Sequence, residues 1–163
     1  MIRVYTASKL EEYKRWLQIQ KEHPGVYFHA RWIKHMEIGT PDRSERAQEF
    51  WLQDQEDVES ADVLLLYETP GGRPLKGGLV EAGMALSKGV PVIAVGNVEN
   101  IGNWVYHPGV TLVDTLEEAL KLLDQMSVGW RLKATCHLIG YKEVFVPWSE
   151  LNNTPWDGGS RDA

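Results

Sequence analysis

In the stretch "GGLVEAGMALS" (residues 77–87) the single ionisable side chain is Glu81, set among Gly, Leu, Val, Ala and Met. Burying an isolated carboxylate is costly unless it is paired or hydrogen-bonded. A near-apolar helix that opens on glycines should therefore carry one only with a compensating role. Two readings stand open. Glu81 lies on the solvent face as a first-turn residue favoured by the helix dipole, or it is held for chemistry, with Gly77 and Gly78 letting a ligand approach closely.

The elements around it have to fix its position. "IRVYTA" (2–7) reads as a buried strand, followed by a helix for which Ser8 offers an N-cap and which places Leu10, Tyr13, Trp16 and Leu17 on one face. "HPGVYFHARW" opens with a turn and continues as a β-branched and aromatic strand run, and "SERAQEFWLQDQEDVESA" (44–61) is a second helical pattern. "DVLLLYE" (62–68) and "VPVIAVG" (90–96) are apolar on both faces, as in strands covered on both sides. A last strand ends near Val113, and a helix follows with Asp114 or Thr115 as its cap, "TLEE" fitting a capping box. Five β-α alternations predict an α/β fold: an open, five-stranded parallel sheet of flavodoxin/Rossmann-like type with helices on both faces. The expected domain covers residues 1–126. Residues 127–163 break the pattern and read as a C-terminal extension, with Trp130, Trp148 and Trp156 among turn residues and a possible strand at "KEVFVPW".

Ligand sites of such sheets lie outside the carboxyl ends of the strands. That selects Tyr5 to Ser8, His29 to Trp32, Tyr67 to Gly78, and Gly96-Asn97.

Composition narrows the chemistry. Acidic residues outnumber basic ones 23 to 17, giving a charge of −6, and no basic stripe occurs, so a small-molecule partner is expected in place of nucleic acid. No apolar run is long enough to span a bilayer. Cys136 has no partner cysteine and the first residues lack a signal-like pattern, so a cytoplasmic protein is expected. The five histidines show no ligand spacing, and neither GxGxxG nor a Walker-type GKS/T occurs, so no metal and no cofactor is expected.

The segment "ADVLLLYETPGGRPLKGGLVEAGMALSKGVPVIAVG" (61–96) resembles the centre of the nucleoside 2-deoxyribosyltransferase family and its relatives, the deoxynucleotide N-hydrolases. The order of parts carries the likeness: a helix ending in "ADV", a strand, a Gly-containing loop, a "G…E.G.A" helix and a "GKPV"-like strand. The likeness extends over residues 2–126. It implies cleavage or transfer at the N-glycosidic bond of a 2′-deoxynucleoside or its 5′-monophosphate. Glu81 takes the place of the nucleophile that attacks the anomeric carbon, and Tyr5 that of the tyrosine that hydrogen-bonds it. Asp54 takes the place of the aspartate near the base, with Asp57 three residues on as a further substrate-binding candidate. Ser8, Thr6, Gly77, Gly78 and Trp51 complete the implied substrate-binding set, Trp51 either walling the base site or packing in the core. Such chemistry needs an ionised carboxylate held still beside an oxocarbenium-like centre, while a second acid assists the departing base. The resemblance also implies a homodimer or higher homo-oligomer whose sites are completed by a neighbouring subunit.

One departure matters. Transferases of this family carry an Asp pair shortly before the glutamate, whereas this chain has Leu75-Lys76-Gly77. Lys76, with Arg73 and Ser8-Lys9, could instead meet a phosphate. "PGG" (70–72) also resembles the signature of the cytokinin-activating phosphoribohydrolases, although Glu81 stands eleven residues after Pro70, farther than in that signature. A non-catalytic nucleotide-binding module, with Glu81 hydrogen-bonding a ribose hydroxyl, is the alternative outside enzymes.

Overall fold

The computed structural model describes residues 1–39, 46–69, 75–96 and 102–138, with side chains through 129. Strands β1 (Ile2–Ala7), β2 (Val26–Phe28), β3 (Val63–Tyr67), β4 (Val92–Val95) and β5 (Val110–Val113) form one sheet in the order β2-β1-β3-β4-β5. All four pairings are parallel. Parallel neighbours need crossovers, and helices α1 (Tyr13–Glu22), α2 (Arg31–Ile38), α3 (Ala47–Glu59) and α4 (Lys76–Ser87) lie along those connections, while α5 (Leu116–Leu138) follows the last strand. This is the expected flavodoxin-like α/β architecture. The chain reverses its direction of winding between β1 and β3, and the crevice outside the carboxyl ends of those two strands is where such sheets bind ligands.

Both faces of the sheet are covered. On one, Trp16 of α1 packs against Phe28 and Tyr67, and His23 at the end of α1 meets Asp124 of α5 at 2.8 Å. On the other lie α3 and α4. The register pairs Tyr5 with Leu64 and Ala7 with Leu66, so these four side chains share the α4 face. A Cβ on Gly78 would come within 2.9 Å of the Leu66 side chain and 3.5 Å of the Ala7 Cβ. Glycine there lets α4 ride close to the sheet, which brings the next helical turn, with Glu81, over the end of β1. The core runs continuously between the layers through Ile2, Val4, Trp16, Val58, Leu64, Leu65, Val92 and Leu123.

Several local expectations change. The strand read in "HPGVYFHARW" stops at Phe28, and Arg31 opens a helix absent from the sequence reading. Ser8 does not cap α1. Its hydroxyl accepts the indole N–H of buried Trp16 at 2.6 Å, and a short 3-10 turn (Leu10–Glu12) precedes the helix. A buried tryptophan requires an acceptor, and that demand outweighs the cap. The "TLEE" box does form. Thr115 Oγ1 accepts the Glu118 amide at 3.2 Å, and the Glu118 carboxylate accepts the Thr115 amide at 3.3 Å. The helix it starts continues past Met126 to Leu138, and contacts divide the chain at Arg131 into Met1–Arg131 and Leu132–Ala163. The strand expected at "KEVFVPW", Trp148 and Trp156 lie outside the described residues. Among the described residues no helix is long and apolar enough to cross a membrane.

Candidate active site

Outside the carboxyl ends of β1 and β3 lies a cavity of about 570 Å³, a size suited to a small-molecule ligand. Trp32, Phe50 and Trp51 contribute aromatic wall, Asp54 stands with them on α3, and Leu75 to Gly78 and Glu81 supply the α4 side. Ser8, Lys9 and Glu11 border it from the turn after β1.

Glu81 is only 9 % exposed, so the solvent-face reading of this residue does not hold. It sits one turn inside α4, where intrahelical bonds already fix the backbone, and its side chain lines the cavity. Burial pushes its carboxyl up to about 7, and the nearby negative charge of Asp54 adds to the rise. Tyr5 acts in the opposite direction, because its hydroxyl reaches toward Glu81 and favours the ionised form. That hydroxyl is fully buried and has no partner of full hydrogen-bond geometry among the described residues. Burial, then the negative charges of Glu81 and Asp54, hold the Tyr5 phenol far above its ordinary range, so it remains a neutral donor. The result is two carboxylates facing one cavity with a tyrosine beneath one of them.

Of the residues singled out in the sequence, Glu81, Asp54, Trp51, Ser8, Gly77 and Gly78 line this cavity, with Tyr5 under Glu81. Trp51 is 41 % exposed and belongs to the cavity wall, outside the core. Thr6 is fully buried in β1; its carbonyl accepts the Trp32 indole N–H at 2.9 Å, and its hydroxyl has no hydrogen-bond partner among the described residues. Asp57 is placed differently from the expectation: its two carboxylate oxygens accept the backbone N–H and the Nε–H of Arg31, each at 2.8 Å. Neither Thr6 nor Asp57 borders the cavity. Trp32 and Phe50 do, and neither was read as a site residue, although Trp32 falls within the loop segment that the parallel-sheet rule selects. Arg73 and Asn97 lie outside the described residues. Among the described residues no group of three His, Cys, Asp or Glu side chains is placed to hold a metal ion.

Comparison of the chain with protein-family models and with curated proteins finds no match.

Proposed function

We propose that the protein cleaves the N-glycosidic bond of a 2′-deoxynucleoside or its 5′-monophosphate, with Glu81 as nucleophile. The observation that carries this is a buried glutamate on the floor of an aromatic-walled cavity, with Asp54 across from it and the Tyr5 hydroxyl beneath it. The aromatic wall suits a flat heterocycle, and the carboxylate suits a cationic sugar carbon.

In the proposed reaction, ionised Glu81 attacks C1′ and forms an ester as the bond from C1′ to nitrogen breaks. The base departs with the bonding electron pair and takes a proton from Asp54. Water then attacks C1′, returns a proton to Asp54 and frees the Glu81 carboxylate, and a second base in place of water would give transfer. Interacting carboxylates titrate as a pair. With Glu81 near 7, the carboxyl is partly ionised close to neutrality, and the ionised fraction is the nucleophile. Tyr5 donates to the ionised form and holds it in place. Absence of the 2′-hydroxyl lowers the cost of the oxocarbenium-like state, so a single well-placed carboxylate suffices. Lys9 and Lys76 beside the α4 N-terminus favour the 5′-monophosphate over the free nucleoside. We place this activity in the cytoplasm, in a homo-oligomer whose mass light scattering reads.

The test is chromatography for free base after incubation with deoxynucleosides, ribonucleosides and their 5′-monophosphates, with and without a second base. Release from the deoxy substrates, lost in Glu81→Ala, is expected, and a new nucleoside would mark a transferase. Cleavage confined to ribonucleotides would replace this function with the phosphoribohydrolase one. Binding without any release would replace it with a nucleotide-binding module.

A further inference from the structure

Arg31 is the most heavily engaged side chain near the cavity, yet it does not line it. Its backbone N–H and Nε–H bind the two oxygens of Asp57, and its Nη2 donates to the Gln53 carbonyl and to Glu56, all at 2.8 Å. These three anchor points lie on one flank of α3, at i, i+3 and i+4. Asp54 is the residue after the first of them. It also falls on the i, i+4 row between Phe50 and Val58, both buried. The grip of Arg31 on one flank and these core contacts on the next leave α3 little freedom to turn about its axis. The anchor continues into the sheet, because the His29 ring donates to the Asp57 carbonyl at 2.8 Å.

We infer that Arg31 is a positioning residue that, by clamping α3 at Gln53, Glu56 and Asp57, sets how closely Asp54 approaches Glu81 across the cavity. The physical need is plain. Two carboxylates that face one another repel, and a rotation of α3 by about 20° would swing a side-chain tip by about 2 Å. Without the clamp, Asp54 moves away from Glu81. Among the described residues the charged and titratable groups around Glu81 are Tyr5 from β1, Asp54 from α3, Lys9 and Glu11 from the turn after β1, and Lys76 from its own helix. Arg31 faces Glu56 and Asp57 and has His35 one turn on.

The sign of the effect separates this role from simple loss of charge. Removing a cation, or leaving Asp57 unpaired, would push Glu81 further up, whereas retreat of Asp54 lets Glu81 fall toward the ordinary carboxylate range. The test is a carbon NMR titration of side-chain-labelled glutamate in the full chain, with Glu81 assigned from Glu81→Gln, in Arg31→Ala, Asp54→Asn and the double variant. We expect Arg31→Ala to lower the Glu81 midpoint and to add nothing in the Asp54→Asn background. Circular dichroism checks that each variant is folded. Should Arg31→Ala not fold, Arg31→Lys takes its place, since one ammonium cannot span Asp57 and the Gln53 carbonyl together. A midpoint that stays or rises in the folded variant, or that still falls without Asp54, overturns the inference.

The consequence for turnover rests on the proposed function: Arg31→Ala should lower base release about 100-fold, as expected of a misplacement of 1 Å or more. The titration needs no substrate, so an inactive protein would sink that function and leave the role of Arg31 to be decided by NMR alone.

Discussion

Among the described residues two carboxylates are buried, one at the junction of α2 with α3 and one in α4, and their surroundings differ in kind. Asp57 is 6 % exposed and meets a guanidinium and a backbone N–H. Glu81 is 9 % exposed and meets another carboxylate and a phenol, with no cation paired to it among the described residues. A buried charge with a matched partner holds elements together. A buried carboxylate left beside a like charge costs stability, and such costs persist where chemistry uses them. Burial alone would have placed both residues in one class.

The comparison is broken most readily at Glu81. Its carboxyl titrates near 7 in the folded chain against about 4.5 in the unfolded one. The native state therefore holds the extra proton, and stability relative to a neutral side chain is full below about pH 4.5 and lost as pH rises to about 7. At about 1.4 kcal/mol per pH unit, Glu81→Gln should stabilise the protein by about 3 kcal/mol above pH 7 and have little effect near pH 4.5. Denaturant unfolding at the two pH values reads this, and equal stability at both would remove the contrast. Asp57→Ala should do the reverse and destabilise by about 2 kcal/mol, less than a fully buried pair would lose because Arg31 is partly solvated. An unchanged midpoint in urea would show that the pair contributes nothing. The smallest effect belongs to Tyr5→Phe. Removing the donor that favours the ionised form should move the Glu81 midpoint upward from about 7. A downward move would mean that the phenol does not serve Glu81.

Much of the fold was legible because its strands are apolar on both faces and punctuated by turn residues. β1 matches its expected span, and β3 and β4 fall within theirs. α2 was missed for a physical reason. Its preceding residue, Ala30, makes no side-chain cap, and the N–H of Arg31 is accepted by Asp57, 26 residues later. No local pattern carries a cap that arrives from another helix. The trace that remained was the spacing of Trp32, Ile33 and Met36, obscured by the aromatic run before it. Asp57 went unread as a structural residue for the same reason, since its sequence neighbours are acidic or amide residues typical of a solvated face. Asp54 and Trp51 share that face in sequence, and only the docking of α3 against α4 separates cavity wall from anchor.

The distant cap also bears on how much of the pocket depends on one junction. α2 has eight residues, too few to persist alone in water. In the folded chain the acceptor of its first amide is the Asp57 carboxylate of α3. The helix therefore depends on its docking with α3, and Trp32, its second residue, stands in the cavity wall. One packed junction thus carries three things together: the start of α2, the seat of Trp32 and the placing of Asp54.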